Sequence, residues 1–351
     1  MSELITDLPE KLQASFEAHT LLFQKPSGTS RGILTEKKLW LLKLWSEDRP
    51  EAGTGECSII PGLSHDYTSD QQYESELREI VNDPLRYLRQ PGLLAAKPSL
   101  LFGLETAFID WQNGGRQVLF DNSFTRSERP IPINGLIWMG EEQFMQQQIE
   151  EKIAQGFSCI KMKVGAIDFE QEIHLLEGIR RNYPQEKMVL RVDANGAFSP
   201  DEAPGKLSRL AGLGIHSIEQ PIEAGQLEAM KSLCSTTALP IALDEELIPV
   251  TQKDERRNLL EFIRPQYIIL KPSLHGGLSG CLEWISIAES LAIPWWITSA
   301  LESNIGLNAI AQFTGNFEPQ IPQGLGTGGL YTTNFESRLF IRQGKLHYKS
   351  V

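Results

Sequence analysis

Four short runs decide how this chain folds: Cys159-Ile-Lys-Met-Lys-Val164, Val189-Leu-Arg-Val-Asp193, Ser217-Ile-Glu-Gln-Pro221 and Ile241-Ala-Leu-Asp244. Each is rich in apolar residues, of strand length, and charged at or near its C-terminal end. Segments of helical period separate them, the clearest with Phe169, Ile173, Leu176 and Ile179 on one face. Working outward, the same rhythm adds runs at 131–138, 267–271 and 295–299, and a weaker one at 320–325 beside the glycine-rich 324–329. Repeated βα units of this kind predict an α/β fold, a (β/α)7β TIM-like barrel of parallel strands wrapped by helices, over residues 131–328.

Residues 1–130 lack that alternation. Strand-like runs at 32–45 and 54–60 precede helical patterns at 71–81 and 94–111, which predicts an α+β N-terminal domain. The tail 337–348 alternates like one strand, too late for the barrel, so the C-terminal segment 329–351 is predicted to return to that domain.

Composition narrows the function. With 33 Lys plus Arg against 45 Asp plus Glu, the net charge of -12 repels phosphate backbones, so nucleic acid is not an expected partner. No run approaches the ~20 apolar residues of a membrane helix. The first 20 residues are charged and lack the apolar block of a secretory signal, so a cytoplasmic protein is expected. Cys57, Cys159, Cys234 and Cys281 show no CxxC spacing and read as buried thiols. The six histidines form no HxH or HExxH pair, which argues against zinc. Any metal must therefore be held by carboxylates. Nothing in the sequence sets the oligomeric state, and a homo-oligomer is allowed.

A charge inside a parallel barrel strand is costly unless it is paired, binds a metal or sits at the open rim. Five consecutive runs end in one: Lys161 and Lys163, then Asp193, Glu219, Asp244 and Lys271, 25 to 30 residues apart from Lys163 onward. That is one βα unit each, so the positions are predicted at one level of one ring, at the mouth where such barrels place their chemistry. Three adjacent carboxylates repel, and a hard divalent cation relieves the repulsion; oxygen-only donors favour magnesium, with manganese as the alternative. A desolvated lysine beside such a cation has its pKa lowered and can accept a proton. Any one of these residues alone reads as a salt-bridge partner; the regularly spaced set does not. Asn195 suits either a contact to a metal-bound carboxylate or a turn, and Ser299 either a substrate carboxylate or a plain strand end. His275, beside two glycines, reads as a turn residue. Glu245 and Glu246 crowd Asp244 and could shift the ligand.

With Lys-x-Lys at 161–163, Asp-Ala-Asn at 193–195, Glu-Gln-Pro at 219–221 and Leu-Asp-Glu at 243–245, the chain resembles the enolase superfamily, muconate-lactonizing enzyme subgroup. Within it the match is to the dehydratases that form 2-succinylbenzoate in menaquinone biosynthesis. Gly55-Glu56-Cys57-Ser58 and Pro61-Gly62-Leu63-Ser64 are similar to their capping domain, and Ser299-Ala-Leu-Glu-Ser303 with Gly306 to their seventh-strand loop. The resemblance implies that the N-terminal domain caps the barrel and that Asp193, Glu219 and Asp244 hold Mg2+. It further implies that Lys163 takes the α-proton of 2-succinyl-6-hydroxy-2,4-cyclohexadiene-1-carboxylate and returns it to the leaving hydroxyl, a syn elimination through a metal-stabilised enediolate. Lys271 would act as a cation on the opposite face, Lys161 would steer Lys163 or lower its pKa, and the loop 23–31 would close over the substrate. An N-succinylamino acid racemase or dipeptide epimerase, with Lys163 and Lys271 as two bases, keeps the same residues and stays open. A catalytically dead barrel would have lost a carboxylate or a lysine, and a Schiff-base aldolase would not need three carboxylates in a row.

Overall fold

The computed structural model describes residues 4–29, 32–165 and 167–350. It opens with an antiparallel sheet of β1 (Gln13–Thr29), β2 (Gly32–Trp45) and β3 (Gly53–Ser58), paired in that order. The sequence pattern does not reveal β1. It is an edge strand in which only Leu21 and Phe23 are buried among the described side chains, so its run lacks an apolar alternation. Three helices follow: α1 (Asp70–Asn82), α2 (Pro84–Arg89) and α3 (Pro98–Gln112). Pro98 to Trp111 of α3 are all buried, because this helix lies between the sheet and the barrel. Small residues let it approach: a Cβ on Gly55 would stand 2.0 Å from the Gly103 carbonyl.

The barrel region runs β4 (Ile131–Pro132), β5 (Gly135–Ile137), α4 (Glu142–Ala154), β6 (Cys159–Lys163), α5 (Phe169–Asn182), β7 (Val189–Asp193), α6 (Ala203–Gly212) and β8 (Ser217–Glu219). It continues through α7 (Leu227–Thr236), β9 (Ile241–Leu243), α8 (Lys253–Ile263), β10 (Tyr267–Leu270), α9 (Gly277–Ser290), β11 (Trp295–Ile297) and α10 (Asn304–Gly315). Strands β5 to β11 form one parallel sheet in sequence order. The predicted eighth strand contracts to Gln323 and Gly324, which bridge in parallel to Ile133 on one side and Thr298 on the other and so join the two edges. Ala242, Ile269 and Trp296 pack together with Tyr267 and Ile321, on the strand faces that carry Asp244 and Lys271 further along. The predicted stripe of α5 is there, with Ile173, Leu176 and Ile179 buried against the strands.

Two expectations change. The run 131–138 is two strands: β5 enters the barrel, while β4 pairs outside it. The tail is a hairpin, β12 (Leu339–Arg342) and β13 (Lys345–Tyr348), because Gln343 and Gly344 both take positive φ (51° and 66°) and reverse the chain in two residues. Its β13 pairs with β4 rather than with the N-terminal sheet. The return to that sheet is made earlier, where Gln24 N donates to Leu330 O and Thr332 N to Leu22 O, both at 2.8 Å. Among the described residues no helix is long and apolar enough to cross a membrane. All four cysteines are buried and free.

Two glutamates join the N-terminal unit to the barrel by capping barrel helices. Glu105 of α3 accepts from the backbone N of Leu278 (2.6 Å) and Ser279 (3.3 Å) at the start of α9. Glu56 of β3 accepts from Ser303 N (3.0 Å) and Gly306 N (2.8 Å) at the start of α10. Both meet the positive end of a helix dipole. Gly277, with φ of 72°, leaves room for this: a Cβ there would lie 2.4 Å from Glu105 Oε2.

Complete burial pushes the Glu105 carboxyl from 4.5 up to about 7, against the pull of its hydrogen bonds from Ser279 and Leu278. A folded-state value above the unfolded one means that its contribution to stability is full below pH 4.5 and is lost as pH rises through about 7. Glu105→Gln should therefore remove about 2 to 3 kcal/mol from the difference in stability between about pH 5 and about pH 8. Urea unfolding at both pH values measures this, and an unchanged pH dependence would contradict it.

Candidate active site

Lys163, Asp193 and Glu219 are direct partners across β6, β7 and β8. Glu219 faces Ala242, so Asp244 lies two residues further on; Ile268 faces Leu243, so Lys271 lies two beyond the position opposite Asp244. The first three charges thus share one rung, and Asp244 and Lys271 each climb a further two residues. Even steps preserve the inward facing, and the tilt of barrel strands requires such a stagger to bring side chains to one mouth. Residues just past the strand ends turn the chain away, with Asn195 at φ 44° and Gln220 at φ 37°.

At the mouth, ammonium groups stand between carboxylates. Lys161 Nζ donates to Asp193 Oδ2 (3.1 Å) and Glu219 Oε2 (2.7 Å). Lys163 Nζ shares the same Asp193 Oδ2 (2.8 Å) and also donates to Asn195 Oδ1. Lys271 Nζ pairs with Asp244 Oδ2 and lies 3.7 Å from Glu219 Oε1. Asp193 and Asp244 are fully buried and Glu219 is 2% exposed, so these charges must compensate one another.

The pKa directions follow. Burial pushes the Asp193 carboxyl up, but the ammonium groups of Lys163, Lys161 and Lys271 outweigh it and hold it well below the usual range. Burial also drives Asp244 up, and Glu245 and Glu219 add to that against the pull of Lys271. Burial does push Lys161 and Lys271 down, yet the carboxylates around them hold both above the ordinary lysine value: Glu219 and Asp193 at Lys161, Asp244 and Glu219 foremost at Lys271.

The three carboxylates meet through the lysines rather than side by side. Among the described residues no three acidic, His or Cys side chains are gathered around one point that could hold an ion. The donor set nevertheless suits a hard cation: it is all oxygen, and Glu219 Oε1 and Asp244 Oδ1 are buried without accepting a hydrogen bond.

A cavity of about 170 Å³ opens over this cluster. Lys161, Lys163, Asp193, Asn195 and Lys271 line its floor. Apolar residues wall it: Ile60, Pro61 and Leu63 from the turn after β3, Ile33 and Leu34 from β2, and Trp138 and Leu136 from the barrel's first strand and its end. Of the loop 23–31, residues up to Thr29 belong to β1, and Ser30 and Arg31 lie outside the described residues.

Asn195 holds Lys163 and donates to Glu245 Oε1 at 3.0 Å, which makes it a bracket between strand ends. Ser299 lines the cavity, but its hydroxyl donates to Glu302 at 2.6 Å. His275 Nδ1 accepts the Lys271 N–H at 2.7 Å, as a turn residue would. Glu246 accepts from Gly225 N and Gln220, which leaves Asp244 as the acid in the lysine cluster. Sequence reasoning passed over Gln220, whose Oε1 accepts from both Asp244 N and Glu246 N at 3.2 Å. Glu245, weighed in the sequence only as an alternative to Asp244, lines the cavity. Gln220 could have been suspected as a polar residue next to a strand-end charge.

The profile of the enolase C-terminal domain-like family matches residues 144–348. The o-succinylbenzoate synthase of Desulfotalea psychrophila is 46% identical over 95% of this chain and 98% of its own length. A solved structure of MenC from Desulfotalea psychrophila LSv54 superposes with a TM-score of 0.85 and 43% identity, covering 96% of this chain and 99% of the other. The N-succinylamino acid racemase of Thermus thermophilus is 27% identical over 79% of this chain and 75% of its own length.

The lysine bridges set a stability requirement. Lys161→Met would leave Glu219 and Asp193 short of a buried counter-charge and should cost roughly 3 to 5 kcal/mol. Denaturant unfolding of the metal-free protein checks this, and a loss below about 1 kcal/mol would mean that Lys161 does not balance them.

Proposed function

The chain belongs to the o-succinylbenzoate synthases of the enolase superfamily, and from that premise we propose how its charged side chains carry out the dehydration. The reaction is the syn loss of water from 2-succinyl-6-hydroxy-2,4-cyclohexadiene-1-carboxylate to give 2-succinylbenzoate, a carbon–oxygen lyase step of menaquinone biosynthesis in the cytoplasm. One observation carries the assignment: Lys163 and Lys271 line the same cavity, with Asp193 and Asn195 engaging Lys163 and Asp244 engaging Lys271.

In this reading Lys163, as the neutral amine, takes the proton from the carbon bearing the carboxylate. The C–H electrons pass into the carboxylate as an enediolate and return to form the new ring double bond as the C–O bond breaks, and the departing hydroxyl takes that same proton from Lys163 and leaves as water. Lys271 supplies a fixed positive charge on the other side of the ring. Lys161 shares Asp193 with Lys163 and so helps to fix the carboxylate that orients it. Asp193, Glu219 and Asp244 would hold Mg2+, for which Mn2+ can substitute. When bound, the cation neutralises negative charge developing on the substrate carboxylate. The apolar walls exclude water and seat the ring and succinyl chain of this small carboxylate substrate.

Lys163→Ala should reduce turnover by at least about 1000-fold with the circular dichroism spectrum unchanged, read as loss of diene absorbance with Mg2+ present. Retention of more than a small fraction of activity would remove Lys163 as the base. Asp193→Ala should weaken Mg2+ binding in calorimetric titration, and an unchanged affinity would mean that the ligands are elsewhere. In heavy water, rapid α-deuteration of N-succinyl amino acids with poor dehydration would instead support a two-base racemase.

A further inference from the structure

Part of the cavity wall is held by groups that the dehydration does not use. Ser299, Ala300 and Leu301 line the cavity just past β11, and Leu301 sits at φ 62°, a left-handed conformation that is strained for a leucine. Such a turn persists only where its surroundings hold it. Here the Ala300 carbonyl accepts from Lys37 Nζ at 2.8 Å and the Leu301 carbonyl from the Tyr331 hydroxyl at 2.6 Å. From the barrel side, Ser299 Oγ accepts from Leu301 N (3.0 Å) and Glu302 N (3.3 Å).

Lys37 is an unusual group to find in this place. It belongs to β2, on the N-terminal sheet, and is only 3% exposed. Burial lowers its pKa to about 8, against the opposing pull of Glu302 and Glu56. Those two acids are themselves fully buried and held, Glu302 by Ser273 and Ser299, and Glu56 by Ser303 and Gly306. An ammonium withdrawn from water is retained at a cost, and what it does here is grip a backbone carbonyl of the cavity wall. The same strand begins with Ile33 and Leu34, which line that cavity from above.

We propose that Lys37 is a positioning residue for substrate binding, which ties the N-terminal sheet to Ala300 and so holds the strained Ser299–Leu301 turn as a wall of the cavity. The proposal rests on the reading of the cavity as the substrate site. Without Lys37, Leu301 can relax out of the left-handed region and the wall moves, while Lys163, Asp193, Glu219, Asp244 and Lys271 keep their places on β6 to β10 and the turns that follow. The loss should therefore fall on the seating of substrate and not on the chemical step.

The test uses the full chain with Mg2+ and the cyclohexadiene carboxylate. Lys37→Met should raise KM on the order of tenfold with kcat changed by less than about threefold, and Lys37→Arg should recover part of the loss. Tyr331→Phe removes the second tether and leaves the buried charges in place, so it should raise KM in the same direction; it also carries the test if Lys37→Met does not fold. Hydrogen exchange of residues 299–303 should be faster in both variants than in the wild type. A fall in kcat with unchanged KM, or unchanged exchange at 299–303, would overturn the proposal. Failure of the wild type to consume the diene would count against the functional reading instead, and the exchange measurement would still decide the role of Lys37.

Discussion

Buried charge at the barrel mouth is the constraint on which the rest of this molecule depends. Three carboxylates and two of the lysines sit in a space with almost no water, where an unbalanced charge costs several kcal/mol. Their arrangement is accordingly alternating: Lys161 between Asp193 and Glu219, Lys271 beside Asp244 and Glu219. Alternation of this kind demands accurate strand ends, because a slip of one residue would turn each charge into the apolar layer between strands and helices. The register partners Lys163, Asp193 and Glu219, and the two-residue steps to Asp244 and Lys271, are how the barrel meets that demand.

Attachment of the N-terminal unit uses the same electrostatics in a different form. Helices α9 and α10 follow the strands that deliver Lys271 and Ser299, and their N-terminal amides would be left unpaired in a dry interface. Glu105 and Glu56 reach across to accept them. The interface is therefore built on helix ends close to the charged mouth, so the alignment of the two units and the geometry of the mouth are linked.

The barrel was legible in the sequence because its strands are short apolar runs ended by charge, and the same charges marked the mouth over which the cavity opens. Asp193 and Lys271 needed no three-dimensional information beyond the length of a βα unit. What escaped was whatever lacks a period. β1 is an edge strand with little buried surface, β12 and β13 pair through a turn at Gln343-Gly344, and Gln220 works through side-chain hydrogen bonds to a neighbouring strand end. The balance of charge was legible only in part. Strand spacing said that three carboxylates and their lysines meet at one mouth, and the folded site places ammonium groups between the carboxylates, which raises Lys161 and Lys271. Spacing along the chain says which charges meet but not which of them touch.

The charged floor is compatible with more than one way of moving a proton next to a carboxylate, so it does not select the substrate. Selection falls to the walls, and apart from Leu136 and Trp138 at the barrel's first strand these come from three separate stretches: the turn after β3, the start of β2 and the turn after β11. None of the three belongs to the strands that carry the charges. They are set relative to the floor through Glu56, Glu105 and Lys37, each of which passes from the N-terminal unit to a backbone group of the barrel. A barrel can thus keep its charged floor fixed while the walls over it change through the contacts that hold its cap, and substitutions far from the floor can act on the shape of the cavity through the interface alone.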